Sequence, residues 1–301
     1  MTYLQSILLG FLQGIAEFLP ISSSGHLQLV QKLMGLEEVP LVFDVLLHLA
    51  TLLAVVLYYR KKIWILLCAF GRMITKRPAP KQIKNIDGSK ITLSEDEALG
   101  REKNLRMYIL AIVLATLVTG VIGIFTEKLI GDLPLVFVFI GFLITSFLLV
   151  TSSLYEKIMG KKNLKTQKNE STSLSFKKAP SWWQALLIGL SQGIGTLPGI
   201  SRSGSTISGS LFTGLDRSEA GDFSFIVSIP AILGAFILEA KDLTSVISSI
   251  GWDTLLVGFM TAFTSGFLAL TWLMKLIKKG RLEWFALYLI PLAICGFIFL
   301  C

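Results

Sequence analysis

The sequence predicts an all-α polytopic membrane protein built as an inverted-topology repeat, with six full transmembrane helices and two re-entrant helix-loop-helix segments. Three observations lead there. Apolar residues make up 53% of the 301 positions and charged residues only 16%, against about a quarter charged in a soluble domain. One motif occurs twice, as Gln13-Gly-Ile-Ala-Glu17-Phe-Leu-Pro-Ile-Ser22-Ser23-Ser24-Gly25-His26 and as Gln192-Gly-Ile-Gly-Thr196-Leu-Pro-Gly199-Ile-Ser201-Arg202-Ser203-Gly204-Ser-Thr206, at an offset of 179 or 178 residues. The basic residues, finally, are gathered into a few segments between apolar runs. Short apolar segments broken by Gly and Pro, at matching places in two halves, point to a site built where the halves of an inverted repeat meet.

Residues 3–34 divide into two half-length apolar pieces on either side of Pro20 to Gly25. Neither reaches the ~20 residues of a full crossing, so a re-entrant pair is expected. Residues 41–59 read as the first full span, with Asp44 and His48 in its first turns; both fit either the edge of a site or the membrane interface. The run 60–106 is polar and basic and reads as a cytoplasmic loop, with apolar residues at 63–70 that extend the helix or lie at the interface. Spans at 107–126 and 134–154 complete a first repeat over 1–154, and the Lys-, Ser- and Thr-rich segment 155–180 is the linker. The second repeat, 181–301, follows the same order: a re-entrant pair at 182–214, then spans at 223–239 (containing Pro230), 254–274 and 283–301. Gly258, Gly266 and Gly296 suit close helix approach in the last two. Each half makes an odd number of crossings, so the second must enter from the opposite face.

Charge tests this order independently. Under it, all of the 28 Lys and Arg except Lys32, Lys128, Lys241 and Arg202 fall on one side, while Glu37, Glu38, Glu127, Asp132, Glu239 and Asp242 fall on the other. The positive-inside rule makes the basic side cytoplasmic and puts both termini outside. Topology thus accounts for the net charge of +8, and no nucleic-acid partner is expected. Cys68, Cys295 and Cys301 lie in or beside apolar segments without metal-ligand spacing and read as packing residues. Without a basic leader and cleavage site, residues from Met1 onward are expected to be retained.

The chemistry concentrates in the doubled motif. Gln13 and Glu17 are four apart and share a helix face. Ser22, Ser23, Ser24, Gly25 and His26 follow where that half-helix stops, and the matching loop offers Gly199, Ser201, Arg202, Ser203 and Thr206. A carboxylate, an imidazole, a guanidinium and several hydroxyls meeting near the midplane suit a phosphate. Arginine forks onto its oxygens, and helix N-termini bind anions. Glu17 and His26 are the proton-transfer or metal candidates. Serines in membrane helices commonly cap or satisfy backbone, but Arg202 inside an apolar motif needs a cavity or a partner, since a central cation costs at least ~2.5–3.5 kcal/mol. The copies diverge where charge matters: Glu17 matches Thr196, Ser23 matches Arg202 and His26 matches Ser205. One asymmetric site needs that divergence; a symmetric pore does not. Arg217, Glu219 and Asp222 read as a helix start facing water.

At these residues the chain resembles the undecaprenyl-diphosphate phosphatase family, also called bacitracin-resistance proteins. A Glu/Gln-x-x-x-Glu signature is matched by Gln13 to Glu17, Ser-Ser-x-Gly-His by Ser22, Ser23, Gly25 and His26, and Pro-Gly-x-Ser-Arg-Ser-x-x-Thr by Pro198, Gly199, Ser201, Arg202, Ser203 and Thr206. Gln13 stands where many members carry Glu. The resemblance implies hydrolysis of undecaprenyl diphosphate to the monophosphate and phosphate, which recycles the lipid carrier of peptidoglycan synthesis and confers bacitracin resistance. It implies a divalent cation, Mg2+ or Ca2+, a multi-pass place in the bacterial plasma membrane, and a site open to the extracytoplasmic side. Its partners would be the polyprenyl diphosphate and membrane lipid, with a homodimer as one open arrangement. Carried over, Arg202 with Ser201, Ser203 and Thr206 holds the diphosphate, beside Ser22, Ser24, Gly25 and Gly199. Glu17, helped by Gln13, positions the cation or moves a proton, and Ser23 and His26 compete for nucleophile and base.

Type-2 phosphatidic acid phosphatases also contain Ser-Gly-His, but they need a second histidine where this chain has Ser208; only His26 and His48 exist. The alternative from another class is a secondary transporter or flippase of polyprenyl phosphate lipids, because broken helices in inverted repeats are common there.

Overall fold

In the computed structural model the described residues are 1–36, 39, 41–84, 90–130, 133–163, 178–239, 250–279 and 281–300. The sequence-based readings for Glu37, Glu38, Asp132, Lys241, Asp242 and most of the linker lie outside them. The described chain is helical apart from one two-stranded antiparallel hairpin, Gln82–Lys84 (β1) with Lys90–Thr92 (β2).

The chain opens with α1, Tyr3–Phe18, whose start is fixed by a capping box: the Gln5 amide donates to the Thr2 hydroxyl and the Thr2 amide to Gln5 Oε1. Pro20 disfavours the helical conformation at Leu19, which is extended and ends α1. The chain then turns through residues 19–22 into α2, Ser23–Leu33, where Ser22 accepts a hydrogen bond from the Gly25 amide. The second interrupted segment has the same construction. Helix α6, Trp182–Ile194, is followed by α7, Arg202–Phe212, and Ser201 accepts from the Gly204 amide. At about 1.5 Å per residue, none of these four helices spans a ~30 Å hydrocarbon core.

Among the described residues, five helices are long and apolar enough to cross a membrane: α3 (Leu41–Thr75), α4 (Glu95–Ile130), α5 (Val136–Asn163), α8 (Arg217–Glu239) and α9 (Trp252–Lys279). The last, α10, Trp284–Phe299, is a continuous 16-residue apolar helix with Pro291 inside it, shorter than the full span expected over 283–301. A second difference concerns the expected loop 60–106. Helix α3 continues to Thr75 and α4 already begins at Glu95, leaving only 76–94 between them. Hydropathy marks where lipid ends, whereas backbone hydrogen bonding carries the helices on into water.

The two halves exchange their first helices. Helix α1 packs on α9 and α6 on α4. Both contacts use glycines at the repeat offset. A Cβ on Gly10 would run into the Gly258 carbonyl, and one on Gly14 would sit 2.6 Å from the Ala262 carbonyl oxygen; one on Gly189 would sit 2.7 Å from that of Ala115, and one on Gly193 would meet Ile122. Gly258, Gly266 and Gly296 also sit in close contacts, against Ser6, Phe18 and Phe139 respectively. At the basic end, ion pairs tie the long helices together. Lys62 pairs with Asp222, Arg72 Nη2 with Glu102 Oε2 at 2.8 Å, Arg217 with Glu156 and Lys157 Nζ with Glu283 Oε1 at 2.7 Å. Arg217 and Glu219 do stand in the first turn of α8, but Arg217 and Asp222 are also interhelical partners rather than groups facing only water.

Candidate active site

The turns between α1 and α2 and between α6 and α7 bring the two copies of the motif onto one carboxylate. Glu17, in the last turn of α1, is buried. Its Oε2 accepts from Gln13 Nε2 at 2.9 Å and from the Ser23 hydroxyl at 2.7 Å. Its Oε1 accepts from Arg202 Nη2. Ser23 is the first residue of α2 and Arg202 the first of α7. Equivalent positions of the two copies thus take the two oxygens of the same carboxylate, and the N-termini of both half-helices converge there. A guanidinium carries more N–H donors than one carboxylate uses, so Arg202 can hold Glu17 and an anion together.

Glu17, Arg202, Ser203 and Thr206 line a small cleft with Phe18, Thr51, Val55, Ser224, Phe225, Ser228 and Ile232. Its lining combines an ion pair and hydroxyls with aromatic and aliphatic side chains. The remaining motif residues shape the turns. Ser22 takes a left-handed conformation, φ 71°, and its hydroxyl lies 3.4 Å from that of Ser24. Gly25 abuts Phe142, so closely that a Cβ would lie 2.6 Å from the ring. Gly199 has φ 76°, and a Cβ there would collide with the Val138 carbonyl. The Ser201 amide donates to Thr145 Oγ1 at 2.9 Å, and the Ser201 and Ser203 hydroxyls are 3.2 Å apart. The Thr206 hydroxyl donates back to the Arg202 carbonyl at 2.6 Å, stiffening the first turn of α7.

His26 stands apart from this cluster. Its Nδ1 lies 2.8 Å from the Ser22 carbonyl, which can only accept, so that nitrogen carries the proton. Its Nε2 faces the Tyr288 hydroxyl of α10 at 2.9 Å, and the rings of Tyr288 and Phe142 flank it. The structure therefore joins Gln13, Glu17, Ser23 and Arg202, lines the same cleft with Ser203 and Thr206, and holds His26 to the side.

His48 Nε2 lies 3.4 Å from Glu17 Oε2, so of its two readings from the sequence the edge of the site is the one observed. Other groups were not singled out from the sequence. Thr51, Ser224 and Ser228 line the cleft, and Tyr288 caps His26. The spacing of Asp44, His48 and Thr51, and of Ser224 and Ser228, at three or four residues on otherwise apolar helices was an available signal; Tyr288 had none.

The sequence matches the family described as "Bacitracin resistance protein BacA" over residues 6–295. An undecaprenyl-diphosphatase of Treponema denticola is 44% identical over 294 residues, covering 98% of this chain and 96% of that protein. One of Alkaliphilus metalliredigens is 36% identical over 293 residues, covering 96% and 95%. Undecaprenyl-diphosphatase 1 of Shouchella clausii is 34% identical over 303 residues, covering 99% and 97%. Since the match runs through both serine-capped helix pairs and all the long helices that hold them, the chain belongs to the bacitracin resistance protein BacA family.

Proposed function

We infer that this chain is an integral membrane undecaprenyl-diphosphatase, releasing inorganic phosphate from undecaprenyl diphosphate and returning the monophosphate carrier to cell-wall synthesis. The observation that carries the reading is the placement of Ser23 and Arg202 on the two oxygens of Glu17, where Glu17 and Arg202 line a cleft together with Phe18, Val55, Phe225 and Ile232. A nucleophile hydrogen-bonded to its base, beside an anion-binding fork, is the arrangement phosphoryl transfer needs.

In this reading the diphosphate lies against Arg202 and the N-termini of α2 and α7, where the exposed amides and helix dipoles favour negative charge. The polyprenyl chain leaves past Val55, Phe225 and Ile232. Ser23 Oγ attacks the terminal phosphorus and its proton passes to Glu17. The bridging P–O bond breaks, and the lipid monophosphate departs with the electron pair. Water then hydrolyses the phosphoserine, releasing phosphate and restoring the Ser23 hydroxyl.

A divalent cation, Mg2+ or Ca2+, fits this site only if it is shared with the substrate. Gln13 Oε1 is buried without a hydrogen-bond partner beside Glu17. No group of three His, Cys, Asp or Glu is placed to hold a metal among the described residues. Glu17 and Gln13 would supply two oxygens, and diphosphate and water the rest, which is how Mg2+ is commonly held. The cation would neutralise phosphoryl charge.

The helix exchange and the glycines at the repeat offset support an inverted repeat. Orientation follows from α3. His48 at the site and Lys62 in the basic belt are separated by about 21 Å along the helix at 1.5 Å per residue. With the basic end in the cytoplasm of a bacterial plasma membrane, the site lies toward the extracytoplasmic side. The test is phosphate release from long-chain polyprenyl diphosphate by detergent-purified protein, with and without a chelator, for wild type, Arg202→Ala and Glu17→Ala. Metal-dependent release that collapses in both variants is expected; no release by folded wild type with metal present refutes the reading and favours lipid transport.

A further inference from the structure

We propose that Thr145 of α5 is a positioning residue for Arg202, holding the turn between α6 and α7 in the register that brings the guanidinium to Glu17 and the diphosphate; this rests on the hydrolase reading above. Thr145 is fully buried within α5. Hydroxyls on these apolar helices commonly donate to the carbonyl four residues back, as Ser146 does to Phe142 at 2.8 Å and Thr151 to Phe147 at 2.6 Å. Thr145 is turned instead toward the neighbouring segment. Its Oγ1 accepts from the Ser201 amide at 2.9 Å, and its own proton is directed at the Gly199 carbonyl, 3.5 Å away. The Ser201 amide needs that acceptor. Ser201 is buried and stands just before the first residue of α7, where the helix offers no carbonyl to its N–H, and a buried amide without a partner is costly.

The same face of α5 is shaped to receive the turn. Val138, Gly141 and Thr145 recur at three and four residues and so lie on one face. A Cβ on Gly141 would lie 2.5 Å from the Pro198 carbonyl oxygen, and one on Gly199 would collide with the Val138 carbonyl. Backbone lies on backbone here, and the Thr145 hydroxyl fixes how far along α5 the turn sits. Beside it, Val138 and Phe142 press on Gly25 of α2, where a Cβ would lie 2.9 and 2.6 Å from them. One helix thus seats the starts of both half-helices, α2 carrying Ser23 and α7 carrying Arg202. Ser201 links this seat to the site. Its amide is held by α5, its hydroxyl accepts from the Gly204 amide of α7 at 3.1 Å, and the next residue is Arg202, whose Nη2 donates to Glu17 Oε1. Thr145 is not among the residues lining the cleft, so it acts on the substrate through Arg202.

The experiment compares wild type, Thr145→Val and Thr145→Ser, full-length and in detergent. Valine keeps the volume and loses the hydroxyl, whereas serine keeps the hydroxyl and loses a methyl group. Steady-state phosphate release from long-chain polyprenyl diphosphate gives kcat and KM, and amide hydrogen exchange follows the segment containing Ser201. In Thr145→Val, kcat/KM is expected to fall roughly 10- to 100-fold, the scale of a group misplaced by about an ångström. The loss should be mostly a rise in KM, because Arg202 grips the diphosphate before and during the reaction. Exchange at the turn should quicken in the same variant, and Thr145→Ser should recover most of both effects. In an Arg202→Lys background, Thr145→Val should add little further loss, since both changes act on one contact. The proposal is overturned by wild-type kinetics or unchanged exchange in Thr145→Val, by a loss in Thr145→Ser as large as in Thr145→Val, or by losses that multiply in the double variant. If wild type itself releases no phosphate, the hydrolase reading fails separately, and hydrogen exchange alone decides whether Thr145 holds the turn.

Discussion

Replacing Glu17 with Gln, alone and with Ser23→Ala, tests the step on which the mechanism depends. The substitution preserves the volume of the side chain but removes the base to which the Ser23 hydroxyl donates at 2.7 Å. A positioned base contributes about 10²–10⁴-fold, or about 3–5 kcal/mol of barrier at 1.36 kcal/mol per tenfold. Ser23→Ala removes the nucleophile itself. Because the two residues serve one proton transfer, their losses should not multiply, and the double variant should release phosphate no more slowly than the slower single one. Phosphate release under single-turnover conditions is the assay. A melting curve accompanies it, because Glu17→Gln leaves Arg202 without its carboxylate. Removing one partner of a fully buried pair costs about 3–5 kcal/mol, and Arg202, whose side chain is 20% exposed, should lose part of that. Losses that multiply would show that Glu17 and Ser23 act in different steps. Turnover that survives Ser23→Ala and disappears in His26→Ala would transfer the nucleophile to His26.

Gly10→Ala and Gly189→Ala should each lower the melting temperature, because a Cβ meets a backbone carbonyl that cannot move aside and overpacking of this kind costs about 1–3 kcal/mol. Gly120→Ala, with open space around the added carbon, should be neutral or stabilising by the helix propensity gained; equal behaviour of all three would refute the packing argument. Gly199→Ala should lose both stability and turnover. A left-handed φ costs a non-glycine residue about 1–2 kcal/mol, and relief of the contact with Val138 would shift the turn that delivers Ser201 and Arg202. Lys62→Ala should lower the melting temperature while leaving kcat within twofold, since its pair with Asp222 ties α3 to α8 at the basic end; a large loss of kcat would connect that end to the site.

The parts of the fold that were legible in the sequence are those governed by local chemistry or by the membrane. Pro20 ended α1, Ser22 and Ser201 capped the half-helices that follow, and long apolar runs made the crossing helices. Helix ends in water were not legible, because once lipid no longer constrains composition a helix such as α3 can continue through Arg60, Lys61 and Lys62 to Thr75. The exchange of α1 and α6 between halves was also hidden. Gly10 and Gly189 announce a close approach, but sequence alone does not say which helix approaches.

At the site, the doubled motif was legible because it is doubled, and the divergence between copies now has a physical meaning. Ser23 and Arg202 begin equivalent half-helices, so the repeat delivers two positions to one point, and the sequence fills one with a hydroxyl and the other with a cation. Only the first copy supplies the carboxylate that both address; at the matching place Thr196 bonds its own Gly193 carbonyl at 2.7 Å. A repeat that had kept Glu in both copies would bring a second negative charge toward a diphosphate. One that had kept Ser in both would lack the cation needed to hold it. Thr51, Ser224 and Ser228 escaped notice for the converse reason: they lie on single helices outside the motif, where a polar residue every three or four positions does not by itself reveal which cavity it faces.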